Sequence, residues 1–180
     1  MMTVHDLLQE LEQEAHTTRR VLERVPEDRL DWRPHAKSMT LGQLAMHVAT
    51  IPGRIAEVST RPAFDVNTTI PRPAAASTAE LLAAHDQSVT RARALLADMT
   101  DADLASPWRM VDGEREVMAM PRRALLRTVL LNHWYHHRGQ LSVYLRQTGA
   151  LVPAIYGASA DENPLGRGSA PRELAGAARA

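Results

Sequence analysis

The run Asn132-His133-Trp134-Tyr135-His136-His137 holds the side chains in this sequence best suited to chemistry. His133 and His137 are four apart, so on a helix they share one face, with Cβ atoms roughly 5–6 Å apart. At that spacing two imidazoles reach one ion at about 2.0–2.1 Å each. Trp134 stands where a zinc protease carries the glutamate that serves as general base, so this is not a His-Glu-x-x-His motif. A third histidine, His47, lies three residues after Leu44 and four before Ile51, inside an apolar stripe. Three histidines that leave coordination positions open describe a metal site that handles a ligand, not a closed structural one. The alternative is three core or groove histidines satisfied by backbone and water.

The other candidates carry less. His136 falls about 100° round the helix from His137, which places it at a helix–helix or subunit boundary. His85 lies on the stripe of another helix and is a spare candidate whose expected role is packing. His5, His16 and His35 read as surface or loop residues. Trp32, Trp108, Trp134 and Tyr135 are read as core or interface aromatics rather than a ligand box. Arg122, Arg123, Arg127, Arg138 and Arg146 lie off the inner face of the last helix and are read as a solvated or subunit-facing surface. The sharper alternative is that Arg138 reaches an anionic substrate. The sequence has no cysteine, so there is no disulfide framework, no zinc ribbon and no protein thiol nucleophile. Any thiol handled here must arrive with a ligand.

Helices must position these groups. Val4, Leu7, Leu11, Ala15, Thr18, Leu22 and Val25 step by threes and fours, with Thr3 and Asp6 as a capping pair and Pro26 as the stop. Residues 26–39 read as a connection. The second helix begins near Thr40, with Gln43 as its capping partner, and Pro52-Gly53 should kink it or end it early. Residues 60–77, with Pro62, Pro71 and Pro73, read as a loop. The third helix runs from Ser77 or Thr78 to Met99. Asp112-Gly113 permits a small hairpin within 106–120, with a loop as the alternative. Pro121 suits the first position of a fourth helix, which spans 121–147. The expectation is an all-α, four-helix bundle with long connections, at least one of which crosses the bundle. Residues 1–166 form the domain, and 167–180, rich in Ala, Gly and Arg, form a mobile tail.

Composition sets the outer bounds. The chain has 180 residues, one domain's worth, and 44% of them are hydrophobic, which argues against disorder. Lys plus Arg and Asp plus Glu are 21 each, and that balance argues against nucleic acid as the main partner. Lys37 is the lone lysine, which we read as genomic base composition. No apolar run of about 18 residues exists, so no membrane span is expected. The acidic N-terminal segment does not resemble a secretory signal, which makes the cytoplasm the default location.

Several motifs, in order along residues 4–165, resemble the DinB-like (DinB/YfiT) superfamily. Val25-Pro26-Glu27-Asp28-Arg29-Leu30-Asp31-Trp32-Arg33-Pro34 followed by Ser38-Met39-Thr40-Leu41-Gly42-Gln43-Leu44-Ala45-Met46-His47 looks like its first connection and second helix. Asn132-His133 through His136-His137-Arg138-Gly139-Gln140-Leu141 looks like its last helix. Pro153-Ala154-Ile155-Tyr156-Gly157 with Ser159-Ala160-Asp161-Glu162 looks like its closing loop. The resemblance implies an up-down-down-up bundle, a homodimer, and a metal triad that maps onto His47, His133 and His137. It implies a divalent metal such as nickel or zinc. It also implies an S-transferase or isomerase that uses a low-molecular-weight thiol such as bacillithiol, mycothiol or glutathione. An ion with open positions can turn a bound thiol into a thiolate that attacks an electrophile. Two other expectations stand beside it. One is a hydrolase, since such an ion also acidifies water, although no carboxylate base accompanies the triad. The other is a stress-associated metal-binding dimer without turnover.

Overall fold

The computed structural model describes residues 2–166, so the expected tail at 167–180 lies outside the described residues. The chain is mostly helical, with a small three-stranded sheet. Helix α1 (Val4–Leu22) opens with the expected reciprocal cap between Thr3 and Asp6. It stops short of Pro26 because proline disfavours helical geometry in the residue before it. The chain instead closes with tight turns, Arg24 N–H to Val21 and Val25 N–H to Leu22. A short 3₁₀ turn (Glu27–Arg29) leads on to helix α2 (Leu41–Thr60), which Thr40 and Gln43 cap reciprocally.

Of the two expected outcomes, the early end does not occur: α2 runs on through Pro52 to Thr60, and the groups the proline disturbs find partners on other helices. Proline lacks the N–H that would bond the carbonyl of Val48. That carbonyl accepts a hydrogen bond from the indole of Trp134 at 2.9 Å instead. Next door, the N–H of Gly53 donates to Ser88 Oγ at 2.8 Å. Helix α2 comes so close to its neighbour here that a Cβ on Gly53 would lie 2.9 Å from the Ser88 carbonyl oxygen. The small residue permits the contact that lets the helix continue.

The segment after α2 is a correction. Strand β1 (Ala63–Asp65) lies in what read as a loop. Helix α3 (Thr78–Ala97), capped by Ser77, and the short helix α4 (Asp101–Ala105) follow. Strands β2 (Pro107–Asp112) and β3 (Arg115–Pro121) then form the hairpin, turning at Gly113 with φ of +60°, a conformation glycine adopts without strain. β1 pairs in parallel with β2, Phe64 opposite Met110, and β2 pairs antiparallel with β3. The expected all-α class is therefore corrected to a helical protein carrying a sheet. The signal was missed because β1 has only three residues and its pairing partner is remote in sequence.

The last helical run starts after Pro121, which is its cap rather than its first residue. It comprises α5 (Arg122–Leu125), a π-helical stretch (Leu126–Asn132) and α6 (His133–Gln147). α2 packs on α3 and α6, and α1 packs on the same two helices. The core between them includes Leu7, Leu44, Ile51, Leu81, Leu130 and Leu141, all 2% exposed or less. Among the described residues, no helix is long and apolar enough to cross a membrane.

Candidate metal centre

His47 projects from α2, and His133 and His137 from the first turn of α6. One ring nitrogen of each lies within 4.8 Å of the other two, so the three are positioned to hold a metal ion. The ring centroids are 5.2 Å apart for His47 and His133, 4.6 Å for His47 and His137, and 4.5 Å for His133 and His137. The cap at Thr40 fixes where α2 begins, and the packing of α2 on the π-helical stretch and α6 fixes the distance between the two sides of the site.

The π-helical stretch belongs to this geometry. The N–H of His133 bonds the carbonyl of Thr128, five residues back. The carbonyl of Val129 is thereby free of its ordinary helical partner. His133 Nδ1 is buried and makes no hydrogen bond of normal geometry, although the Val129 carbonyl is close enough to draw the ring pKa back upward. His137 Nδ1 lies 2.7 Å from Gln140 Oε1, one turn on. That contact fixes the tautomer with Nδ1 protonated and leaves Nε2 as the ligating atom.

All three rings are held neutral. Burial is the largest cause for each. His47 is pushed down to about 4, with the charges of His137 and His133 and then of Arg54 and Arg72 adding to burial. His133 and His137 are also lowered from their ordinary value. Neutral imidazoles are the form that binds metal. The Val129 carbonyl beside His133 Nδ1, the glutamine that orients His137 and the all-imidazole donor set fit a divalent first-row metal.

The site opens on a cavity of about 530 Å³. His47 and His133 stand in its wall with Ile51, Phe64, Trp108 and Val129. Its sides come mainly from α2 and the loop after β1, with Phe64 of β1, Trp108 and Met110 of β2, and Leu125 and Val129 of the last helical run completing the wall. Trp108 is 1% exposed and its indole donates to the Val58 carbonyl, which ties β2 to the end of α2. It both packs and lines the cavity. Trp134 is a core residue, as read. Trp32 packs edge-on against Tyr144, and the Tyr135 hydroxyl donates to Glu10.

His136 is exposed with its ring 4.9 Å from that of His137, outside the triad. His85 is buried between helices, away from the three, with Nε2 unpartnered and burial lowering its pKa. Both readings of Arg138 are corrected. It is 1% exposed and pairs with Glu14 of α1 at 2.6 Å, so it faces neither solvent nor substrate. Its neighbours Arg127 and Arg146 pair with Glu10 and Asp161, and Arg122 donates to the Ser59 and Asp103 carbonyls. Sequence reasoning assigned no role to Gln140 or Arg54. Gln140 follows His137 by three residues, a spacing that signals contact on a helix.

The chain is similar to other proteins along nearly its whole length. It is 29% identical over 166 residues to the uncharacterized protein YrdA of Bacillus subtilis (strain 168), covering 89% of this chain and 92% of that one. The crystal structure of a DinB-like protein from Bacillus cereus ATCC 10987 superposes with a TM-score of 0.67 at 27% identity, covering 86% of this chain and 98% of that one. That of a DinB-like protein, YjoA, from Bacillus subtilis shares the fold with a TM-score of 0.61 at 22% identity, covering 79% and 91%. The family model that matches, over residues 1–167, is that of the DinB family, and the chain belongs to that family.

Proposed function

We propose that His47, His133 and His137 hold a divalent transition metal, nickel or zinc, and that the protein is a metal-dependent S-transferase acting with a low-molecular-weight thiol. The observation that carries this reading is that His47 and His133 of the triad stand in the wall of an apolar cavity large enough for a small molecule. A protein that only stores or senses metal has no need of such a cavity. When bound, the ion supplies Lewis acidity, lowering the pKa of a thiol so that its sulfur can attack an electrophile. The chain's own residues do the rest. Gln140 holds His137 in register, and the apolar side chains exclude water and hold the electrophile. Hydrolysis has weaker support, because Glu57, the carboxylate that lines the cavity among the described residues, is engaged by Arg61 at 3.3 Å.

The ring of packing α1–α3–α2–α6 supports the up-down-down-up four-helix arrangement as the frame. A cytoplasmic homodimer completes the proposal. The test is elemental analysis of untagged protein beside His47→Ala, followed by thiol-consumption assays with glutathione, bacillithiol and mycothiol against 1-chloro-2,4-dinitrobenzene. One metal ion per chain, lost in the variant, together with metal-dependent thiol consumption, is the expected result. Metal-free native protein would overturn the metal site. Metal without thiol consumption would overturn the transferase.

A further inference from the structure

The cavity wall carries positive charge that no carboxylate among the described residues balances. On α2, His47, Ile51, Arg54, Val58 and Arg61 recur at steps of four, three, four and three, so they share one face. Arg61 is paired with Glu57, and the two cancel. Arg54 is different. Among the described residues it has no carboxylate within salt-bridge distance, and one of its N–H groups donates to the Pro71 carbonyl at 3.0 Å. That bond draws the loop after β1 over the cavity, and Pro71 itself lines it. Arg72 comes next in the chain, is exposed, and also has no carboxylate partner among the described residues. The triad contributes no negative charge either, being three imidazoles. A divalent ion there would add two further positive charges.

We propose that the cavity takes a small molecule combining an apolar body with a carboxylate, and that Arg54 binds the carboxylate, with Arg72, next after the lining Pro71, adding charge, while the apolar body lies against Ile51, Phe64, Trp108 and Val129. Guanidinium presents paired donors that match a carboxylate's two oxygens. Four of the five N–H groups of Arg54 remain for a ligand after the bond to Pro71. His47 and Arg54 are seven residues apart, about 10 Å along the helix axis. The ligand therefore spans roughly that length between its reacting atom and its anionic end. That the reacting atom lies at the triad rests on the transferase reading, whereas the anion site does not. Arg54 stands in the cavity wall on the same face of α2 as His47, and Arg72 directly follows Pro71 of that wall. The carboxylate belongs to either the thiol or the electrophile.

Binding of matched probes tests the site without any turnover. 4-Phenylbutyrate and 4-phenylbutyramide are titrated into chelator-stripped and metal-loaded protein, into Arg54→Gln and into Arg72→Gln, with melting temperature as the folding control. The expected result is an acid bound about tenfold or more tighter than the amide in stripped wild-type protein, with that preference lost in Arg54→Gln and reduced in Arg72→Gln. Equal binding of acid and amide overturns the proposal. So does a preference that needs the metal and survives both substitutions, because the carboxylate is then a ligand of the ion. A second arm measures KM for 3-mercaptopropionate against its amide, and for 4-chloro-3-nitrobenzoate against its amide. A rise in KM in the variants confined to one acid supports the site and names the reactant that carries the carboxylate. Absence of turnover sinks the transferase reading and leaves the stripped-protein result standing by itself.

Discussion

His47 is neutral before any metal reaches it, and that state has a cost on the acid side. Its pKa falls from an ordinary 6.5 or so to about 4, first because the ring is buried and then because two other histidines face it. The unfolded chain therefore takes up a proton that the folded chain refuses between about pH 6.5 and 4. Above that window both states carry a neutral ring and the group contributes nothing to the pH dependence. Within it stability falls as pH falls, because protons favour the unfolded state. Below about pH 4 the loss is complete. Metal-free protein should accordingly melt progressively lower as pH drops from 6.5 to 4.5, and His47→Asn should make that dependence shallower, the other buried histidines supplying the rest, as differential scanning calorimetry at fixed ionic strength would read. A variant with the wild-type pH profile would contradict it. The three histidines were legible because stripe position and i, i+4 spacing are local facts. Arg138 was not, because whether an off-stripe arginine meets solvent or a carboxylate depends on Glu14, more than a hundred residues away.

Among the elements, the link between Pro52 and Trp134 explains how a proline sits in mid-helix without ending it. The indole takes the place of the missing backbone donor on the Val48 carbonyl. Trp134→Phe should cost about 1–3 kcal/mol, since it strands that carbonyl in the core. In a Pro52→Ala background the same substitution should cost less, because the alanine has a backbone N–H to offer. A double-mutant cycle by urea denaturation reads the coupling, and strict additivity would refute it. Sequence marked Pro52-Gly53 as a break but could not see the partner that repairs it. The capping pairs Thr3–Asp6 and Thr40–Gln43 were legible for the opposite reason, since each closes within one turn. The strand β1 was illegible because three residues hold too little pattern to be read without β2 beside them.

At the scale of the molecule, one buried ion pair joins helices α1 and α6. Arg138 on α6 meets Glu14 on α1 and also bonds Thr18 Oγ1 at 3.1 Å. The Tyr156 hydroxyl, from the closing segment, donates to Glu14 at 3.0 Å. Arg20 pairs with Glu162, and Arg146 pairs with Asp161 at 2.5 Å, so the same segment is fastened to both helices. Arg138→Leu should destabilise by about 3–5 kcal/mol because it leaves a carboxylate buried and unpaired. Glu14→Leu with Arg138→Leu should recover most of that loss. Chemical denaturation of the three variants decides it, and a double variant as weak as the single would show that Glu14 is not the group left stranded. An even balance of acids and bases hides this pair, since counting charges does not locate them.

The π-helical stretch makes the last helix a rod with two separately indexed halves. Arg122–Leu125 is set by the sheet it emerges from, and His133–Gln147 by the histidine it faces on α2. One widened turn between them absorbs the phase difference. Forcing residues 126–132 into a plain α-helix with no residue removed would turn one half against the other by about 100°. Either the histidines would swing out of line with His47, or the sheet would be torn from its seat at the cavity. The irregular turn works as a gear tooth, and straightening it at full length trades alignment of the triad against the integrity of the pocket wall.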